Sequence, residues 1–180
     1  MKKTAGISSL LALLLILGAA GHSRQNDIPG WQDARWGMSE DDLVKVSGPR
    51  LRKLPKKEIF YKSHVDYVIP EYELEGRIYT VFFQMNDVTN RLSQVLIRSN
   101  EMKSRVPRVE VFNSLAARLA REFGSSGKHK DKSQLESPAK FMVIDLSRTW
   151  KFPTTTVELS YDWDNQIYAS LLTIRYFPTK

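Results

Sequence analysis

The chain has 180 residues, of which 27 are lysine or arginine, 20 are aspartate or glutamate, and none is cysteine. This length fits one domain or two small ones, and a content of 42% apolar and 11% aromatic residues is enough to bury a core, which excludes wholesale disorder. The lack of cysteine excludes a disulfide framework, thiolate metal sites and cysteine nucleophiles.

The first 20 residues have the three parts of a secretory signal peptide. Lys2 and Lys3 are positive, an apolar run follows over 10–17, and small residues at 18–20 suit a signal peptidase. The whole apolar stretch is too short for a spanning helix, which needs about 20 residues. We expect cleavage after residue 20, no membrane span afterwards, and an exported protein that is periplasmic or secreted. A lipoprotein is excluded because no cysteine is present to carry the lipid.

Residues 21–30 are polar and contain Pro and Gly, which predicts a flexible leader, so the ordered domain is expected over 31–180. The next signal is a short helix that begins after Ser39 and ends at Gly48. Ser39 is a good N-cap, three acidic residues occupy the first turn, and glycine favours termination. These three acids are not expected to hold a metal ion by themselves, because consecutive helical residues point in different directions and do not converge on one ion.

Three strands are expected after this helix, over 58–69, 77–85 and 91–98, because apolar and polar residues alternate along each of them. Pro70 is expected to end the first strand. If Met85 pairs with Arg91, then Val81 lies opposite Val95, and the apolar faces of the second and third strands are in register.

Helical spacing returns over 107–123, where apolar residues form one stripe. Residues 124–138 are rich in Gly, Ser and Lys and predict an exposed loop. Three more strands are expected over 140–152, 155–163 and 166–177, with Trp163 pairing with Gln166 in the closing hairpin.

This order predicts an α+β fold, with antiparallel sheet and two helices packed on one side of it. The element order is a helix and three strands, followed by a second helix and three strands. The two halves, 36–99 and 106–177, are similar in length. A duplicated αβββ unit is therefore a structural hypothesis.

The segment 36–39 (Trp-Gly-Met-Ser), followed by the acidic helix and Gly48, resembles the opening of a recurring type of small exported bacterial domain. The helix-then-sheet opening is similar to the small lipoproteins of outer-membrane protein assembly, and the tandem arrangement to secreted beta-lactamase inhibitor proteins. The resemblance implies a fold and no chemistry. The chain lacks the lipid-bearing cysteine of the assembly lipoproteins.

No catalytic residue, metal site or cofactor is predicted. The three histidines, His22, His64 and His129, lie far apart in the sequence without ligand spacing, and alternation places His64 on the polar face of a strand. Neither a nucleophile elbow nor a phosphate-binding loop occurs.

Three carboxylates, Glu71, Glu73 and Glu75, alternate with Tyr72 and Leu74 and would line one face of a strand. Paired-acid hydrolysis needs two carboxylates across a cleft, with pKa values held apart. A solvated edge is the competing interpretation.

The segment 50–57 contains five cations beside two leucines and is the candidate binding segment. These cations are Arg50, Arg52, Lys53, Lys56 and Lys57. One interpretation is a contact surface for an envelope protein or another anionic envelope component. The alternative is a solvated loop that keeps the protein soluble. Nucleic acid is not an expected partner of an exported protein.

The leading hypothesis is an exported, non-catalytic binding or accessory protein of the bacterial cell envelope, working through segment 50–57 and a neighbouring sheet face. The alternatives are a hydrolase of envelope polymers that uses the carboxylates near 71–75, and a secreted enzyme inhibitor.

Overall fold

The computed structural model describes residues 27–100, 103–136 and 141–180. The predicted signal peptide and residues 21–26 of the predicted leader lie outside the described residues. The last leader residues contact the domain: the Asp27 carboxylate accepts hydrogen bonds from the backbone N–H and the hydroxyl of Thr154, and Gly30 begins the first strand. Within the described residues, contacts with the domain are thus already present at Asp27, ahead of Trp31 where order was expected to begin.

The described residues form ten strands, two α-helices and one short 3-10 turn at Gly48–Arg50. In chain order the elements are β1 (Gly30–Trp31), β2 (Ala34–Arg35), α1 (Glu40–Ser47), β3 (Arg52–Phe60), β4 (Ser63–Leu74), β5 (Arg77–Asn86), β6 (Leu92–Ser99), α2 (Val109–Phe123), β7 (Lys128–Glu136), β8 (Phe141–Lys151), β9 (Thr155–Asp164) and β10 (Ala169–Pro178). Within this part of the chain, neither helix has the length and apolar character that a membrane span requires.

Eight strands form one antiparallel sheet in the order β3-β4-β5-β6-β10-β9-β8-β7, and β1 pairs with β2 separately. Each helix is followed by a four-stranded meander. The two meanders join where β6 pairs with β10, with Ile97 opposite Ile174 and Val95 opposite Tyr176. The antiparallel sheet is confirmed, and the two helices beside it are broadly compatible with the expected α+β class, although most of the described chain is strand.

The expected count of three strands per half is wrong, because each half has four. The missed strands, β3 and β7, are the two edges of the sheet. The predicted loop over 124–138 contains β7, which pairs with β8 along its whole length. Edge strands protect their unpaired backbone with charged residues, so their composition resembles that of a loop.

The predicted strand over 58–69 is also wrong, since it spans the end of β3, a turn and most of β4. The chain reverses at Tyr61 and Lys62, and Lys62 has a positive φ of 59°. Pro70 does not end β4. It lies at a register shift between Ile69 and Tyr72, where a residue without a backbone N–H is tolerated.

Both helices pack on the same face of the sheet, as predicted. Their buried residues share one core with inward-facing side chains from β4 to β6 and from β8 to β10. The helical contributors are Leu43 of α1 and Val111, Phe112, Leu115, Leu119 and Phe123 of α2.

The N-terminus of α1 has the predicted cap. Ser39 accepts from the backbone N–H of Asp42, and the Asp42 carboxylate accepts from the backbone N–H of Ser39. The termini of α2 are held by the sheet instead. The Tyr161 hydroxyl accepts from the backbone N–H of Arg108 at 2.7 Å, and the Trp150 indole N–H donates to the carbonyl of Gly124 at 2.8 Å.

Both predicted strand registers are wrong, by two residues over most of the β5–β6 pair and by four residues in the β9–β10 hairpin. Val81 lies opposite Ile97 instead of Val95, with an irregularity between Gln84 and Met85. Trp163 lies opposite Ser170 instead of Gln166, because the hairpin loop is longer. An even shift keeps every side chain on its predicted face, so the alternation alone does not distinguish these registers.

We predict that Phe112→Ala lowers the free energy of unfolding by about 3–5 kcal/mol, because it removes a fully buried ring between helix and sheet. The matched control is Asn113→Ala on the exposed side of α2, which should change stability by about 0.5 kcal/mol or less. Urea unfolding of both variants measures this. Equal effects would contradict the packing of α2 described here.

Candidate binding surface

The structure brings the five predicted binding cations together on one edge of the sheet, which we call the basic edge (Arg50, Arg52, Lys53, Lys56 and Lys57). Arg50 ends the turn before β3, and the other four lie in β3. All five are exposed. The segment is thus an exposed edge strand, so the expected loop is wrong while the expected exposure to solvent is present.

Four of the five cations already have local partners. The Arg50 guanidinium donates to the side-chain carbonyl of Gln32, and Arg52 donates to the carbonyls of Pro49 and Leu51. Lys53 lies 5.7 Å from the centre of the Tyr67 ring, and Lys57 lies 3.1 Å from Asp66. Within the described ranges Lys56 contacts no partner. These contacts hold the charges at the edge without neutralising most of them.

The pairing of β3 is irregular in the stretch that holds its cations. Between Lys53 and Glu58 the pairing with β4 shifts register, and Pro55 lies inside that irregular stretch. A bulged edge with lysines and a proline is a typical device against edge-to-edge association of sheets. The basic edge therefore has a structural role as well as any binding role.

The sheet face opposite the helices, which we call the open face, is not covered by either helix of the described chain. One end has a small apolar cluster of Val65, Val68, Phe82 and Leu96, with Leu54 and Phe60 of β3 packed against it. The Arg98 guanidinium lies 4.3 Å from the centre of the Phe82 ring.

A groove of about 600 Å³ runs across the middle of the open face, over β5, β6, β10 and β9. One end is formed by Phe60 and Tyr61 of the β3–β4 turn, and the Tyr61 side chain is 87% exposed. Leu96, Arg98, Leu171 and Arg175 line its length. The groove therefore combines aromatic, aliphatic and guanidinium groups.

Polar side chains on the open face are paired with one another. Ser63 and the amide N–H of Gln94 both donate to the side-chain carbonyl of buried Gln84. The hydroxyls of Ser160 and Thr173 lie 2.7 Å apart. These hydrogen bonds satisfy the polar side chains that face the groove and hold them in place along its base.

Charged residues continue along the groove. Arg175 donates to Glu158, and Lys130 of β7 donates to Asp145 of β8. Asp162 lies directly opposite Asp145. Burial, and then the charge of Asp145, raises the pKa of Asp162 above its ordinary value.

The structure places the carboxylates of the predicted hydrolase site at one end of the sheet, near α2. Glu71, Glu73 and Glu75 are exposed at the end of β4 and in the turn that follows. Glu75 accepts hydrogen bonds from Arg118 and Ser114 of α2, and the bond from Arg118 lowers the pKa of Glu75. A general acid needs a raised pKa, so this arrangement disfavours Glu75 in that role.

A cleft of about 690 Å³ lies on the helix side, between α2 and the first described residues. Its walls include the buried rings of Trp31, Phe123 and Phe152. Phe123 packs edge-on against Phe152, with ring centres 5.3 Å apart, so the cleft walls belong to the core. Asp27, the first described residue, also borders the cleft.

A separate cluster of titratable side chains lies where α1 meets β4. His64 is only 6% exposed, and its Nδ1 lies 2.8 Å from Oδ1 of Asp87. Its Nε2 lies 3.8 Å from Oε1 of Glu40 and 3.7 Å from Oδ2 of Asp66. Burial, and then the charge of Asp66, raises the pKa of Glu40. No spacing in the sequence points to this cluster, because its members come from three separate elements.

No protein family, no curated protein and no solved structure matches the chain.

We predict that Asp162→Asn raises the free energy of unfolding at pH 7 by about 0.5 kcal/mol, the scale of a screened surface charge interaction. The raised pKa means that the folded state binds the proton more tightly, so the ionised carboxylate destabilises the fold once the pH exceeds that pKa. The gain in the free energy of unfolding should shrink as the pH falls towards 3.8, the ordinary pKa of an aspartate side chain. Urea unfolding across this pH range measures it, and a stability loss at pH 7 would contradict the prediction.

Proposed function

We propose that this protein is an exported, non-catalytic binding protein of the bacterial cell envelope that holds an acidic protein partner against its open face. The open face itself carries the proposal: an eight-stranded sheet has both helices on one side and a groove of about 600 Å³ on the other. The signal peptide predicted over 1–20 supports export.

The dimensions of the open face suit a folded protein. Strands in a sheet lie about 4.8 Å apart, so eight strands extend over roughly 34 Å. The central strands, β5 and β10, have 10 residues each, and at about 3.3 Å per residue they are roughly 33 Å long. The resulting area of about 1,000 Å² exceeds the roughly 800 Å² that one partner buries in a standard interface.

The residues of the groove are of the kind that contribute most to protein–protein binding. Tyrosine and arginine are enriched among such residues, and the groove contains Tyr61, Arg98 and Arg175. The neighbouring amides of Gln84 and Gln94 form hydrogen bonds and suit a polypeptide surface better than an acyl chain.

The charge distribution favours an acidic partner. The basic edge borders the sheet at β3, and Lys128 and Lys130 are exposed at the opposite edge in β7. Cations on both edges attract an acidic surface towards the groove and orient it. Removal of the predicted signal peptide takes Lys2 and Lys3 from a chain of formal net charge +7, which leaves +5 on the exported protein.

In cells, a photocrosslinking amino acid in place of Leu171, in the groove, should give one dominant protein adduct that mass spectrometry identifies. The same probe in place of Asn113, exposed on α2, should give no such adduct. Adducts from both positions, or from neither, would contradict the proposal. Binding of the purified protein to anionic vesicles in place of a protein would also contradict it.

With the purified partner, Lys53→Gln combined with Lys56→Gln should weaken binding about tenfold at low salt, mostly through slower association. The matched control is Lys45→Gln with Arg121→Gln, which removes the same charge from the exposed surface of the helices. Surface plasmon resonance over a salt series measures both. Equal losses in the two pairs would show that net charge, rather than the basic edge, controls binding.

A further inference from the structure

The cluster at the junction of α1 and β4 is built by three elements. Glu40 is the first residue of α1, whose start is fixed by the capping box of Ser39 and Asp42. His64 and Asp66 are two residues apart in β4, and Asp87 follows β5. The packing of α1 against the sheet thus brings a helix carboxylate to a histidine and a carboxylate on a strand.

The His64 side chain is buried and has one ring nitrogen without a hydrogen-bond partner. It is 8% exposed, and its Nε2 forms no hydrogen bond within the described chain. Buried side-chain nitrogens are nearly always satisfied in folded proteins. Nε2 lies 3.7 Å and 3.8 Å from the carboxylate oxygens of Asp66 and Glu40, which is beyond hydrogen-bond distance.

Asp87 fixes the orientation and tautomer of the ring. Its Oδ1 lies 2.8 Å from Nδ1 of His64, so Nδ1–H donates to the carboxylate and the lone pair of the neutral ring is at Nε2. A carboxylate behind the ring in this position is the usual support of a histidine that ligates a metal.

We propose that Glu40, His64 and Asp66 form a binding site for a divalent transition-metal ion of the zinc type. One ligand atom from each residue lies within 4.8 Å of the other two. Ligands around zinc, at about 2.1 Å from the ion, lie about 3.4 Å apart, so a small rotation of the part-exposed Glu40 side chain closes the site. Water completes the coordination.

The charge and the donor types favour this class of ion. Three carboxylates and the ammonium group of Lys57 leave the cluster with a net charge of −2 when the imidazole is neutral. One nitrogen and two oxygen donors suit zinc and its neighbours, whereas calcium and magnesium favour sites made of oxygen alone.

Lys57 competes with the ion. Its Nζ lies 3.1 Å from Oδ2 of Asp66, one of the proposed ligand atoms. Lys57 is itself 44% exposed and able to turn into solvent. An ion at the site therefore releases the Lys57 ammonium group from Asp66.

Calorimetry with Zn²⁺ tests the site in the protein purified without a polyhistidine tag. We expect one high-affinity ion per chain, a higher thermal midpoint with Zn²⁺, and reversal by a chelator. His64→Gln should abolish high-affinity binding, and Asp87→Asn should weaken it about 10–100-fold. The control His129→Gln, which changes an exposed histidine of β7, should bind as the unaltered protein does.

Lys57→Met gives a test that does not depend on removing a ligand. It should raise the Zn²⁺ affinity about two- to fivefold, the scale of a part-exposed ion pair. The proposal is overturned if Lys57→Met leaves the affinity unchanged or lowers it, if His64→Gln binds Zn²⁺ as tightly as the unaltered protein, or if Ca²⁺ competes on equal terms.

Discussion

The pairing of β6 with β10 is the constraint on which the rest of the structure depends. Each is the last strand of its meander, and they pair antiparallel. Two equivalent strands paired in this way are related by an approximate two-fold axis perpendicular to the sheet. Rotation about such an axis does not exchange the two faces of the sheet. Both helices therefore lie on one face, the core forms beneath them, and the other face stays open.

An open face and two unpaired edges have to be compatible with water, and the chain achieves this by charge and by local pairing. The edges β3 and β7 are rich in lysine, and β3 is also bulged around Pro55. On the open face, hydroxyl and charged side chains bond to their cross-strand neighbours. The same features make the face suitable for binding, because the cations at the edges remain largely accessible. Lys57 belongs both to the basic edge and to the cluster around His64, since its ammonium group contacts Asp66.

The sequence predicts those parts of the fold that local patterns determine. The cap at Ser39, the apolar stripe of α2 and the inward side of most central strands follow from spacing and are present in the structure. The edge strands were missed because they are charged like loops, and the registers were wrong because an even shift leaves the alternation intact. The five candidate binding cations stand out by composition, but their place on an edge strand was not predicted. The cluster around His64 was missed because Glu40 and Asp87 are 47 positions apart and meet only in the folded chain.

Hydrogen exchange at the junction of the two meanders tests the central claim most directly. If β6 and β10 are paired interior strands of one sheet, the amides of Ile97 and Ile174 exchange only through global unfolding, and their exchange free energy equals that from urea denaturation. The amides along the outer side of β3 should exchange much faster. If Ile97 and Ile174 exchange as rapidly as the edge amides, or if the two halves show separate unfolding free energies, the continuous sheet and the open face derived from it are contradicted.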